Sequence, residues 1–376
     1  MIYLDAAATT FQKPRMVAQA VNRAFYTMTT PGRGGYREAE VAAETLFRCR
    51  SEAAALFHVP SEENVVFTSN ATHALNIAIK SLVQPGDSVV VSGYEHNAVM
   101  RPLYGLDGIQ IEVASAPPFD REGILRSFSR LITDRVRAVV CTHVSNVCGF
   151  VLPIEQIAAL CRRRGVPLII DASQSAGVLP VDLQESGAAF IAMPGHKGLY
   201  GPQGTGLLLC AGDAKPLIEG GTGSMSALNG MPPYLPDRLE AGTQNVPGIA
   251  GLLEGIRFVR RLGPERIAAY ERELARILIS EMRSMPRIRL FAAKDSDCQT
   301  GVLSFLIGEM DCEYAADLLS QRRIALRAGL HCAPMAHRTM GTIDSGTLRV
   351  SVSAFSNERE IRLFLAELKE ILRIKR

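Results

Sequence analysis

Short apolar runs separated by amphipathic stretches set the pattern of this chain. Runs rich in Val, Ile, Leu and Ala cover residues 65–67, 88–92, 109–113, 136–142, 166–170, 188–193 and 206–210. Their length and β-branched content predict seven buried strands. Residues 71–82 and 154–164 lie between them as helices, the second following Pro153. Helices are also predicted over 15–28 and over 38–57, where Val41, Leu46, Ala53 and Leu56 fall near helical spacing. Apolar strands separated by helices indicate an α/β architecture, a mostly parallel seven-stranded sheet covered on both faces. In such sheets ligands bind outside the carboxyl ends of the strands, so chemistry is sought in the residues that follow each run.

The pattern changes after the loop Met231-Pro232-Pro233-Tyr234-Leu235-Pro236. Residues 247–262 and 264–285 read as helices, each opened by a proline at a position where its missing N–H costs little. A strand over 301–307, a helix over 312–322, a strand near 348–353 and a terminal helix opened by Asn357, with Glu360 three residues on, complete an α+β unit. The expected organisation is a large domain over 15–246 and a smaller C-terminal domain over 247–376. Residues 1–14 are expected to pack beside the smaller one.

Composition narrows the function classes. Of 376 residues, 47% are hydrophobic and 21% charged, ample material for a large core. The 41 basic and 38 acidic residues are spread along the chain, so no electrostatic footprint for nucleic acid or a membrane surface is present. Small anionic substrates remain open. The first residues lack a basic segment followed by an apolar run, and no stretch approaches the roughly twenty apolar residues of a membrane span, so a cytoplasmic protein is expected. The eight cysteines show no C-x-x-C spacing and are read mostly as buried small hydrophobes. Cys332 stands apart because His331 precedes it and Arg327 lies five residues before it. Cationic neighbours raise a thiol's thiolate fraction.

Asp171 closes the run 166–170, and Lys197 sits in the turn Gly195-His196-Lys197-Gly198. An acid that keeps a heterocycle nitrogen protonated and an amine that forms a Schiff base are what a pyridoxal phosphate enzyme requires of its protein. Taken alone, Asp171 is equally a turn cap and Lys197 a solvated lysine. Ser69-Asn70-Ala71-Thr72 joins a strand to a helix, so the free amides of Ala71 and Thr72 form an anion site, or the segment is an ordinary cap. The glycines from Gly195 to Gly206 never give G-K-[ST], so a bound phosphate belongs to something other than a nucleoside triphosphate.

Five segments together resemble a known family: Ser92-Gly93-Tyr94-Glu95-His96-Asn97, Thr142-His143-Val144-Ser145-Asn146, Asp171-Ala172-Ser173-Gln174, Gly195-His196-Lys197 and Arg327-Ala328-Gly329-Leu330-His331-Cys332. In this order they resemble the cysteine desulfurases of the class V aminotransferase group, within fold-type I pyridoxal phosphate enzymes, from Tyr3 to the terminal helix. The resemblance implies that Lys197 carries the cofactor, Asp171 pairs with its ring nitrogen and Gln174 bonds its phenolic oxygen. Asn146 lies near the same edge and His96 stacks on the ring. Ala71, Thr72 and His196 serve the phosphate, and Thr243 reaches the phosphate of a partner subunit, which implies a homodimer. Arg349, with Asn146 and Arg327, binds the substrate carboxylate. A structural ion pair is the other reading of Arg349.

The order R-x-G-x-H-C resembles the second group of these enzymes, which makes Cys332 the nucleophile that takes sulfur from L-cysteine as a persulfide. L-Alanine is then the product, and an acceptor thiol or protein collects the sulfur. His96 and His331 are candidate proton donors. Selenocysteine lyase, another class V lyase or aminotransferase, and a sulfur-relay scaffold with structural cofactor are the alternatives. The chain departs from the family pattern at Pro194, where a hydroxyl residue is usual, at Gly198, an apparent insertion, and at Gly32-Arg33-Gly34, which lacks a histidine.

Overall fold

The computed structural model describes residues 1–32 and 34–373; Arg33, within the last of those departures, lies outside the described residues. In chain order the strands are β1 (Ile2–Tyr3), β2 (Val65–Thr68), β3 (Ser88–Ser92), β4 (Gln110–Ala114), β5 (Val136–Thr142), β6 (Leu168–Asp171) and β7 (Phe190–Pro194). They continue with β8 (Gly206–Cys210), β9 (Ile288–Phe291), β10 (Val302–Ile307), β11 (Ile324–Ala325), β12 (Arg327–Gly329) and β13 (Thr347–Ser351).

The seven apolar runs form one sheet in the order β2-β8-β7-β6-β5-β3-β4. Its pairings are parallel except that β8 runs antiparallel to both β2 and β7. Strands β2, β6, β7 and β8 are buried at every position, which is why they read as continuous apolar runs and not as alternations. The period of two still shows in the packing. Val90, Val139, Ile170, Ile191 and Leu209 face one core. Their neighbours Val89, Val140, Ile169, Phe190 and Leu208 face the other.

A second, antiparallel sheet has the order β12-β13-β10-β9 and shares a core with the helices Pro264–Arg283, Cys312–Gln321 and Glu358–Leu372. The last helix opens with the reciprocal Asn357–Glu360 cap that its sequence predicts. The N-terminal strand β1 pairs in parallel with β11, Leu4 is buried in this second core, and Asp5 bridges to Ser351. Helix Val246–Leu262 differs from expectation. It packs on helices Arg15–Thr27 and Arg37–Phe57, and Val246, Ile249, Leu252 and Ile256 join the core of the large sheet. Its apolar face therefore belongs with the first layer, and its last turns share a small cluster with the helix that follows, Val259 beside Ile267 and Ala268.

Glu240 joins these layers at one buried point. Its carboxylate accepts both arms of the Arg50 guanidinium at 2.7 and 2.6 Å, the Phe67 N–H at 2.6 Å and the Gln244 amide at 2.8 Å. The guanidinium also lies 4.2 Å over the Phe67 ring. Removing one member of such a buried pair strands the other charge, so Glu240→Ala is expected to cost about 3–5 kcal/mol. Urea unfolding measures this, and a loss below about 1 kcal/mol, the scale of an exposed pair, would contradict it.

Candidate active site

The carboxyl ends of β2, β3, β5, β6 and β7 deliver Ala71 and Thr72, His96, Asn146, Asp171 and Gln174, and His196 and Lys197 to one cavity of about 210 Å³. The second sheet closes it with Arg327, Arg349 and the loop residues His331 and Cys332. Twelve of the thirteen residues singled out in the sequence thus meet. Thr243 does not. It is exposed, beside a separate cavity of about 310 Å³ that Gly204 and Asn245 also line.

Asp171 is the last residue of β6; its Oδ1 accepts the Ser173 N–H at 2.9 Å and its carbonyl accepts the His143 N–H at 3.0 Å. Lys197 is half-buried, and desolvation pushes its amine down to about 8, with Asp171 opposing that shift and Arg349 and Arg327 adding to it. A second carboxyl, Glu95, sits at the neighbouring strand ends, accepting the Thr142 N–H at 2.8 Å and the Ser92 hydroxyl. Burial pushes Glu95 up to about 8, so it keeps its proton at neutral pH.

His96 caps helix Asn97–Tyr104: its Nδ1 accepts the Ala98 N–H at 3.0 Å, which places the ring proton on Nε2. Burial pushes it down to about 4, so the ring is neutral. The Gln174 amide donates to the Ala7 carbonyl at 2.9 Å. The hydroxyls of Thr9 and Thr10 donate to the His196 carbonyl at 3.2 and 3.1 Å. The N-terminal segment thereby joins the lysine turn.

The cysteine loop is held on two sides. Asn146 Nδ2 donates to the His331 carbonyl at 2.8 Å, and the Asn97 N–H donates to the Cys332 carbonyl at 2.8 Å. His331 and Cys332 both take left-handed backbone angles, φ 49° and 55°, a costly pairing for residues with side chains. Cys332 is exposed to the cavity, whereas the other seven cysteines are buried. The proton-donor role expected of His331 conflicts with its surroundings. Burial pushes the ring down to about 2, and its Nε2 faces the Thr347 carbonyl and hydroxyl at 3.1 Å, leaving a neutral imidazole with an unpartnered Nδ1 among the described residues.

Arg349, in the middle of β13, is 1% exposed. Its Nη1 donates to the Asn146 carbonyl at 3.0 Å, its Nη2 donates to Asp5 Oδ1 at 2.6 Å, and its Nε has no partner among the described residues. Both readings of this arginine therefore coexist, an ion pair and a cavity-lining guanidinium with a donor to spare. Asp5 was missed by sequence reasoning. It lies 344 residues from Arg349 in a small-residue segment without local pattern.

The departures also find places. A side chain on Gly198 would put its Cβ 2.4 Å from the Ala176 carbonyl, and one on Gly177 would lie 2.2 Å from the Gly198 carbonyl. The loop after Asp171 and the lysine turn touch backbone to backbone, where only hydrogen fits. Pro194 lines the cavity at the end of β7 and brings neither hydroxyl nor N–H. The first-turn amides of helix Ala71–Leu82 and His196 remain as anion donors there.

Among the described residues no group of three or more His, Cys, Asp or Glu side chains is placed to hold a metal, and no helix is long and apolar enough to cross a membrane. The family model for aminotransferase class V matches residues 2–364. A probable cysteine desulfurase of Methanothermobacter thermautotrophicus is 33% identical over 385 residues, 98% of this chain and 94% of that protein. A probable cysteine desulfurase of Mycolicibacterium paratuberculosis is 33% identical over 386 residues, and there the chain spans only 55% of the relative's length. The apo structure of a cysteine desulfurase from Thermococcus onnurineus superposes with a TM-score of 0.92 at 28% identity, covering 99% of this chain and 94% of that one.

An amine near 8 is a nucleophile only in its neutral form. The rate at which Lys197 is acylated by an amine-selective reagent, followed by mass spectrometry, is expected to rise about tenfold per pH unit from pH 6. It should level off above about 8 and vanish in Lys197→Ala. A rate that is flat across this range would contradict the assignment.

Proposed function

Since the chain belongs to the class V aminotransferase family, we propose that its cavity holds pyridoxal phosphate on Lys197 and converts L-cysteine to L-alanine, with the sulfur passing to Cys332. The observation that carries this reading is the convergence of Lys197, Asp171, Arg349 and an exposed Cys332 on one cavity. The relatives and the solved structure described above are named for cysteine, which favours it over selenocysteine as substrate.

The residues present fit the cofactor. A depressed amine, a strand-end carboxylate, a neutral imidazole and first-turn helix amides are the donors and acceptors that an aldehyde-bearing pyridine with a phosphate arm requires. When bound, pyridoxal phosphate supplies a protonated ring that accepts the electron pair left at the substrate α-carbon. Asp171 would hold the ring proton in place, His96 would cover the ring and Gln174 would meet its phenolic oxygen. Lys197 Nζ, as a neutral amine, would take the substrate α-proton and move it within the site. Arg349 anchors the substrate carboxylate and thereby fixes which α-bond faces Lys197.

Cys332 Sγ attacks the substrate sulfur. An S–S bond forms, the C–S bond breaks, and its electron pair stays with the β-carbon, which is protonated to give L-alanine. The persulfide left on Cys332 needs an acceptor thiol or protein. Lys197 Nζ, which would hold the abstracted α-proton, is the candidate donor to the β-carbon, because His96 and His331 are both neutral at working pH and act as hydrogen-bonding rings. The reading includes a homodimer, in which the exposed Thr243 serves the partner's cofactor. Exposed Met16, Phe25, Tyr26 and Phe47 on the first two helices supply apolar surface for such an interface.

Cys332→Ala is expected to abolish sulfide and alanine formation from L-cysteine while leaving the visible absorbance of the bound cofactor unchanged. Desulfuration at the wild-type rate in that variant would remove Cys332 from the mechanism.

A further inference from the structure

Arg327 on β12 and Arg349 on β13 are direct cross-strand partners, an arrangement that sets like charges against each other. The carboxylate that reconciles them comes from the other end of the chain. Asp5 Oδ1 lies 2.6 Å from Arg349 Nη2, and Asp5 Oδ2 lies 3.5 Å from Arg327 Nε. Asp5 is not free to leave, because the backbone on both sides of it is bonded into the second sheet. The Leu4 N–H donates to the Ala325 carbonyl and the Ser351 N–H to the Leu4 carbonyl, each at 2.8 Å, while the Ala7 N–H donates to Ser351 Oγ at 2.9 Å.

The three side chains leave a net charge of +1 at the edge of the cavity, with the Arg349 Nε N–H unspent. One carboxylate balances that charge. Two would leave a surplus anion beside buried groups, where uncompensated charge is costly. Arg327 is the more exposed of the two cations, its side chain 47% accessible, and it leads into the Cys332 loop, where the substrate side chain must lie for its sulfur to be reached.

Resting on the reading of Arg349 as the carboxylate anchor, we propose that Asp5 sets the charge selectivity of the substrate site. By occupying Arg327 it reserves the site for amino acids that carry a single carboxylate. An acidic side chain then finds no free cation near Cys332.

L-Asparagine and L-aspartate are matched in shape and differ by one carboxylate, which makes them suitable probes. Calorimetry on the cofactor-loaded protein gives the ratio of their dissociation constants. Asp5→Asn retains an oxygen for Arg349 Nη2 and removes the charge. The ratio is expected to move at least tenfold toward L-aspartate in this variant, and to return in Asp5→Asn/Arg327→Gln. Arg327→Gln alone, which leaves the Asp5–Arg349 pair intact, should move the ratio at least threefold against L-aspartate.

A ratio within twofold of wild type in Asp5→Asn, or a shift that persists in the double variant, overturns the proposal. If Asp5→Asn does not fold, an unchanged ratio in Arg327→Gln overturns it instead. A wild-type protein that neither binds nor desulfurates L-cysteine defeats the proposed function. An active enzyme with unmoved ratios defeats only the role of Asp5.

Discussion

A guanidinium buried as deeply as that of Arg349 needs compensation, and the Asp5–Arg349 pair is what the site depends on. The pair forms only when the first residues of the chain have been laid along β11 and β13, so the carboxylate end of the cavity exists only in a chain whose two ends have met. The same segment continues to Ala7, which holds Gln174, and to Thr9 and Thr10, which hold the lysine turn. Ten residues at the N-terminus thus link the second sheet to the strand ends of the first. A cavity whose walls come from two sheets keeps its dimensions only if such a tie exists.

The first sheet supplies the rest by topology. Five strands point their carboxyl ends the same way, so five unrelated loops deliver their polar residues to one edge. Burial at that edge does much of the chemical tuning. It lowers Lys197 toward neutrality, keeps His96 and His196 uncharged, and keeps Glu95 protonated below the strand ends. Cys332 takes the opposite route. It is presented on a pair of strained left-handed residues and held only through backbone carbonyls, so its thiol is accessible while its loop is fixed.

The large sheet and most of the site were legible because both are written locally. Strands buried on two faces give apolar runs, and the residues that follow them line the cavity. What stayed hidden depends on distance or environment. Strands β1 and β11 have two residues each, too few to show a period. Asp5 acquires meaning only beside Arg349. Helix Val246–Leu262 begins with the proline that marks a new element, but nothing local tells which core its apolar face will enter. His331 illustrates the same limit for chemistry: its sequence context suggests a titrating imidazole, and only the fold reveals that Thr347 and Arg349 surround it.

Seven of the eight thiols are buried, and in each of them burial raises the thiol above its ordinary value. Thiol–disulfide chemistry requires an accessible thiolate. The interior is therefore insulated from any reactive sulfur that accumulates around the molecule. Among the thiols, an oxidant or electrophile meets a single address, Cys332, the same sulfur that the proposed function makes its nucleophile.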